Sequence, residues 1–97
     1  MSGHQAYPVP KETENRAHIR NDQYLAMYDA SINRSEEFWS QKADEFITWY
    51  KPWRQLTESD FSKGEAKWFI GGQLNACYNC VDRHLKLKAD HTAIIWE

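Results

Sequence analysis

The chain has 97 residues and a formal net charge of −2, so it can form one small domain at most. Acidic and basic residues are interspersed, and no basic block is available to neutralise phosphates, so we expect no nucleic-acid partner. The longest apolar run covers residues 93–96 and is far too short to span a bilayer, so we expect no membrane partner.

Aromatic residues are abundant for so short a chain, with five Trp, five Tyr and four Phe. Aromatic side chains bury large areas and dominate both cores and interfaces. Two interpretations fit this composition equally well. The aromatic residues either pack against a partner surface, including a continuation of the same chain, or form a small core from a few large side chains.

The first 20 residues are polar, contain Pro8 and Pro10, and predict a flexible, extended arm. They lack the charged start followed by an apolar core that marks a signal peptide. Two Cys residues in a chain without a secretion signal predict reduced thiols and a cytoplasmic location.

A first helix is predicted over residues 23–32, because Asn21 and Asp22 can both cap its N-terminus. Apolar side chains recur along this segment at helical spacing, with Tyr24 and Tyr28 on one face.

A second helix is predicted to begin at Asn33 or Ser35 and to pack against the first. It should end near Lys51, because Pro52 disfavours helical backbone at the residue before it. Large apolar residues recur at three- and four-residue spacing and predict one wide buried stripe. These residues are Phe38, Trp39, Ala43, Phe46, Ile47 and Tyr50.

Residues 53–65 are rich in Ser, Asp and Gly and predict a connecting loop, with Leu56 and Phe61 as its buried anchors. Residues 67–70 then predict a short strand. Gly71 and Gly72 favour a tight turn after it, because glycine accepts the positive φ that such turns need.

The residues after this turn predict a hairpin and then a helix. Residues 73–75 are expected to return as the second strand of the hairpin. Asn75 can cap a third helix that runs from residue 76 to about residue 87.

The last element is an apolar strand over residues 92–96, which needs neighbours on both faces. The predicted fold class is therefore α+β, with an arm, two packed helices, a short β-hairpin, a third helix and a terminal strand. Since nothing in the sequence supplies those neighbours, we expect the chain to be a piece of a larger protein.

Four potential metal or redox ligands lie close together in the sequence, at Cys77, Cys80, His84 and His91. Structural zinc sites usually place a thiolate pair on a tight turn and the second pair about a dozen residues away. Here one helix would supply three ligands while also burying apolar residues. Packing of the two cysteines in a helix–sheet core is the favoured interpretation.

Two other motifs could be mistaken for an acid–base group and a phosphate-binding loop. Asp82, Arg83 and His84 are consecutive on a predicted helix, so they point in different directions, and an ion pair of Arg83 with a distant carboxylate is favoured. The pair Gly71 and Gly72 lacks the repeated glycines and the lysine of a phosphate loop. The sequence therefore predicts no catalytic, cofactor-binding or metal-ligating residue.

Several aromatic-rich blocks resemble, in order and spacing, the opening of AMP-forming acetyl-CoA synthetases. The blocks are YLAMYDASIN (24–33), EFW (37–39), WYKPW (49–53), KWFIGGQLN (67–75), YNCVDRHL (78–85) and TAIIWE (92–97). Propionyl- and acetoacetyl-CoA synthetases resemble this opening too.

The resemblance implies a parent acetate–CoA ligase that uses ATP, Mg and CoA and makes acetyl-CoA through acetyl-adenylate. It also implies that residues 21–97 are a non-catalytic N-terminal cover segment of the adenylate-forming fold, preceded by the arm of residues 1–20. The partner would be the remainder of the parent chain, whose sheet would begin with residues 92–96. The family's catalytic motifs lie outside these 97 residues.

Two alternatives to the ligase segment are kept. One is a free-standing, aromatic-rich module for protein interaction. The other is a small zinc or redox domain that uses Cys77 and Cys80.

Overall fold

The computed structural model describes Gly3 and residues 5–97. Its helices are α1 (Lys11–Arg16), α2 (Asn21–Asn33), α3 (Ser35–Phe46), α4 (Ala76–Cys80) and α5 (Leu85–Lys88). Its strands are β1 (Trp49–Lys51), β2 (Gln55–Thr57), β3 (Trp68–Ile70) and β4 (Gln73–Leu74). This mixture of helices and small antiparallel sheets confirms the α+β class. None of the helices in the described residues is long and apolar enough to cross a bilayer.

The chain divides into two compact units, one up to residue 35 and one over residues 36–97. The first unit contains α1, which lies where an extended arm was predicted. That prediction is wrong for Lys11–Arg16 because the segment is helical. Acidic residues in its first turn and Arg16 in its last turn interact favourably with the helix dipole. The flexibility of the arm and its boundary at residue 20 remain predictions.

Helix α2 agrees with the predicted helix but begins differently. Asn21 is already helical, so Asn21 and Asp22 do not cap it as predicted. Instead, the side chain of Gln23 reaches back, and its Oε1 accepts the backbone N–H of Arg20 at 2.9 Å. A residue three positions inside the helix thereby satisfies the donor at its start.

The second unit opens with α3, which begins at Ser35 as one of the two predicted starts. It ends at Phe46 and not near Lys51, because residues 49–51 form strand β1 instead. The predicted packing of the first two helices against each other remains a prediction, because α2 and α3 lie mainly in different units.

The strands pair antiparallel in two short ladders. β1 pairs with β4, with Trp49 opposite Leu74, and β2 pairs with β3, with Thr57 opposite Trp68. The predicted hairpin between residues 67–70 and 73–75 is therefore wrong in its pairing, although both segments contain strands. Each strand instead pairs with residues that were predicted to be helix or loop.

A tight turn carries the chain from β3 to β4, as the glycine pair predicted. The backbone N–H of Gly72 donates to the carbonyl of Phe69 at 3.0 Å, and Gly71 has φ +78° at the third position of the turn. Glycine adopts this left-handed backbone without a steric cost. The turn therefore joins two different ladders and does not close one hairpin.

Within the described part of the chain, the buried hydrophobic residues are Ala43 on α3 and Leu56 on β2. Leu56 is thus confirmed as an anchor of its segment, whereas Phe61 is 84% exposed and its predicted burial is wrong. Phe61 lies in a 3₁₀ turn, where its ring points away from the core. Small domains bury a limited share of their surface, so this core is modest.

The predicted third helix is broken. Asn75 caps α4 as predicted, because its Oδ1 accepts the backbone N–H of Tyr78 at 2.8 Å. The helix then ends at Val81, whose φ of −125° and ψ of −65° are not helical. A 3₁₀ turn at Asp82–His84 and the short helix α5 follow.

The predicted strand over residues 92–96 is not formed, and this segment has no regular structure. A β-strand is stabilised by a neighbouring strand, and within the described residues no strand pairs with this segment. Its large apolar side chains are exposed, with Trp96 at 91%. The apolar side chains of residues 92–96 are thus exposed to solvent and are not buried by other parts of the described chain.

We expect Gly72→Ala to lower the free energy of unfolding by about 1–3 kcal/mol, because a side chain there over-packs the turn. A Cβ at Gly72 would lie 2.7 Å from Cζ3 of Trp49 and 3.1 Å from the carbonyl oxygen of Phe69. Urea titration measures the change. Gly3→Ala is the matched control, since a Cβ at Gly3 meets nothing within 4 Å. Equal stability of the two variants would contradict the packing of Trp49 on Gly72.

Candidate functional site

Asn79 is the buried polar residue around which the second unit is connected. Its Oδ1 accepts the backbone N–H of Thr48 at 2.7 Å and Nη1 of Arg83 at 3.2 Å. Its Nδ2 donates to the carbonyl oxygens of Thr48 at 3.0 Å and Asn75 at 2.9 Å. The amide thus makes the four hydrogen bonds that its two donors and two lone pairs allow. Sequence reasoning missed it, although an amide inside a helical segment was a usable signal.

Arg83 belongs to the same connection and not to an acid–base group. Its Nη1 donates to the carbonyl oxygen of Phe46 at 2.7 Å, at the last residue of α3. A cation at a helix C-terminus is favourable because the free carbonyls there carry partial negative charge. The predicted ion pair of Arg83 with a carboxylate is wrong, since its acceptors are this carbonyl, the amide of Asn79 and Nε2 of His84.

The potential metal ligands are not gathered into a site. Cys77 and Cys80 are free and exposed, so their predicted packing in a core is wrong. Across Gly3 and residues 5–97, no group of three or more His, Cys, Asp or Glu side chains is placed to hold a metal ion. The arrangement of His84 and His91 with the cysteines therefore gives no support to the zinc alternative.

An aromatic cluster fills the space between the two ladders. The ring centroids of Trp49, Trp53 and Phe69 lie 5.2–5.7 Å apart, in tilted and edge-on arrangements. Such arrangements are favoured by the electron distribution of aromatic rings. The indole Nε1 of Trp49 also donates to the carbonyl oxygen of Ala43 at 3.2 Å, which ties the cluster to α3.

Beside this cluster, Trp39, Trp68 and Phe69 line an open pocket of about 280 Å³. The ring of Trp39 is 42% exposed, so its predicted burial on the apolar stripe of α3 is wrong. The stripe is incomplete because this small unit has no further element to cover Trp39 and Phe46. Much of the aromatic surface of the second unit is therefore accessible.

Exposed apolar side chains also occur outside the pocket. In the first unit they lie along α2, where the rings of Tyr24 and Tyr28 are 6.2 Å apart. In the second unit they occur in most elements, and Ile94, Ile95 and Trp96 are among the most exposed. Contiguous exposed apolar surface on a small protein marks an interaction surface more often than a catalytic centre.

Asp60 organises the loop between β2 and β3. Its side chain accepts from the hydroxyl and the backbone N–H of Ser62, and it lies 3.4 Å from Nζ of Lys63. The hydroxyl of Ser62 is the main reason that the pKa of Asp60 is lowered from its ordinary value of 3.8. The carboxylate is partly exposed and caps the 3₁₀ turn that follows it, so it acts as a turn former.

Comparison with known proteins identifies the family. Residues 24–80 match the family model described as "Acetyl-coenzyme A synthetase N-terminus". The chain belongs to the acetyl-coenzyme A synthetase N-terminus family. The resemblance inferred from the aromatic-rich blocks is thereby confirmed.

Curated relatives of this family match the chain over all or nearly all of its length. The acetyl-coenzyme A synthetase of Saccharophagus degradans is 53% identical over 97 residues, which are 100% of this chain and 15% of that protein. The protein of the same name from Halorhodospira halophila is 47% identical over the same shares. That of Dictyostelium discoideum is 42% identical over 92 residues, covering 94% of this chain and 14% of the relative. The chain thus spans about 15% of the length of these synthetases.

We expect Asn79→Ala to lower the free energy of unfolding by about 1–3 kcal/mol, because it leaves the buried N–H of Thr48 without an acceptor. Denaturant titration followed by tryptophan fluorescence measures the change. Asn33→Ala is the matched control, because that exposed amide bonds only to Asp29 one helical turn earlier. If both variants cost the same, Asn79 does not connect the second unit.

We expect Ser62→Ala to raise the pKa of Asp60 towards its ordinary value, because the hydroxyl that favours the carboxylate is removed. With a lowered folded pKa, the contribution of Asp60 to stability is present above pH 3.8 and lost as the pH falls through the folded value. Carboxyl NMR titration reads this pKa directly. Ser40→Ala, in α3, should leave the titration unchanged, and an unchanged titration in Ser62→Ala would contradict the assignment.

Proposed function

We propose that this chain is the non-catalytic N-terminal segment of an AMP-forming acetate–CoA ligase. The match of residues 24–80 to the synthetase N-terminus carries this proposal. The parent enzyme would convert acetate and Mg-ATP into acetyl-adenylate and pyrophosphate. Coenzyme A would then take the acetyl group and release AMP.

The polar chemistry of the segment supports a structural role. Asn79 and Arg83 direct their hydrogen bonds to the backbone, to each other and, for Arg83, to the neighbouring His84. Acyl activation needs groups that converge on a reacting phosphorus or carbonyl atom. In the described part of the chain, the His, Cys, Asp and Glu side chains do not fit a Mg site. Mg-ATP and CoA would therefore be bound by the remainder of the parent.

The exposed apolar surface supports the role of a cover segment. Side chains such as Tyr28 on α2 and Ile94, Ile95 and Trp96 near the end of the sequence are largely exposed. Burial of apolar surface is worth about 25 cal/mol per Å², so covering these side chains would stabilise an assembled enzyme. We place residues 92–96 as a strand added to the sheet of the remaining chain, which would satisfy both its backbone and its side chains.

A cytoplasmic location is part of the proposal. Both cysteines are free and exposed, a state that is maintained in reducing compartments. Fractionation of cells that express the parent protein tests this location.

We expect the isolated chain to catalyse no acetate-dependent exchange between ATP and pyrophosphate and to bind ATP without measurable affinity. The reason is that the reacting groups would be supplied elsewhere in the parent. Isotope exchange and calorimetry measure the two properties. Exchange by the purified chain that requires acetate would overturn its non-catalytic role.

A chimaera provides the positive arm of this test. In it, this chain replaces the matching segment of the S. degradans synthetase, with which it shares 53% identity. We expect the chimaera to form acetyl-CoA from acetate, ATP and CoA. A synthetase deleted of that segment is the control and should be unstable or less active. An inactive chimaera together with a stably folded, monomeric isolated chain would favour the free-standing interaction module instead.

A further inference from the structure

The pocket lined by Trp39, Trp68 and Phe69 is the concave part of the exposed aromatic surface, and we call it the aromatic pocket. Its volume of about 280 Å³ is suited to a single aliphatic or aromatic side chain. Of the residues that line it, Trp68 is 48% exposed and Trp39 is 42% exposed. The walls carry no charged group, so an apolar occupant is favoured over an anion or a cation.

The walls of the pocket are held in place by the surrounding structure. The ring of Phe69 packs edge-on against Trp53 at 5.4 Å and also contacts Trp49 at 5.7 Å. The ring of Trp39 packs edge-on against Phe38 at 4.9 Å. Because the ring of Phe69 is already packed against other rings, filling the pocket would cost little entropy at that side chain.

The backbone at the pocket is strained. Phe69 has φ +51°, a left-handed conformation that a bulky residue rarely adopts. Such strain persists where the surrounding structure over-determines it, commonly at ligand clamps. Here it occurs in β3 at a residue that lines the aromatic pocket, between the paired residues Trp68 and Ile70. The strain is an observation independent of the exposure of the rings.

We propose that the aromatic pocket is the anchor at which one apolar side chain from the remainder of the synthetase chain inserts. This inference rests on the proposed function and names the surface through which the segment would dock. The length of the relatives supports this choice of occupant. About 85% of each of these two synthetases lies outside the part that matches this chain, so a large body of the same polypeptide is available to dock. Tryptophan-rich, preformed pockets are where binding energy concentrates at protein interfaces.

Hydroxyl-radical footprinting with mass spectrometry tests the anchor in the isolated chain and in the S. degradans chimaera. We expect oxidation of Trp39 and Trp68 to be at least about tenfold slower in the chimaera, because an occupant excludes solvent from both rings. Tyr50 and Phe61 are the aromatic references in the same unit. They lie outside the pocket and are expected to change less.

A variant gives a second, independent readout. Trp68→Ala should raise the rate of amide hydrogen exchange in β2 and β3 more strongly in the chimaera than in the isolated chain, by about tenfold or more. The same variant of the isolated chain measures how much exchange rises from loss of the contact between Trp68 and Phe69 alone, whose ring centroids are 6.3 Å apart. Phe61→Ala removes an exposed ring of the same unit and serves as the matched control.

The outcomes separate this inference from the proposed function. An active chimaera in which Trp39 and Trp68 are oxidised as fast as in the isolated chain overturns the anchor alone. An inactive chimaera without protection of either ring overturns both. Protection that appears in the isolated chain as its concentration is raised identifies a second copy as the occupant and also overturns the anchor. Slow oxidation confined to the chimaera supports it.

Discussion

The amide of Asn79 holds together two segments that are 31 residues apart in the sequence. It bonds both the N–H and the carbonyl of Thr48, between the end of α3 and the start of β1. It also bonds the carbonyl of Asn75, the residue that caps α4. A buried amide is costly unless it is fully paired, and this one is, so it specifies a single arrangement of the three elements. Arg83 stabilises the same junction by donating a hydrogen bond to the carbonyl oxygen of Phe46 at the C-terminus of α3.

The aromatic cluster depends on that junction. Trp49 is the first residue of β1, so its ring is placed by the bonds that Asn79 makes to Thr48. From there the ring lies over Gly72 and beside Trp53 and Phe69. The core remains small because these rings are large and few elements surround them. The result is a unit that is well connected internally but leaves apolar surface accessible on the outside.

The sequence predicted the features that are determined locally. The helix α2, the Asn75 cap, the turn at Gly71 and Gly72 and the anchor Leu56 each depend on nearby residues. The strand pairing was wrong because each ladder joins segments far apart in the sequence, and local propensity favoured a hairpin and a longer α3. Asn79 was missed for the same reason, since its main partner is distant. The family was recognised from spaced aromatic blocks, which carry more information than single motifs.

The span between Thr48 and Asn79 also bears on how the polypeptide is made. α3 is synthesised before the side chain that fixes its end, because 31 residues separate the two partners. At ordinary translation rates of about 5–20 residues per second, this interval lasts roughly 2–6 s. During that time the native junction at the end of α3 cannot form. The native end of α3 is therefore fixed only once the segment that contains Asn79 has been synthesised.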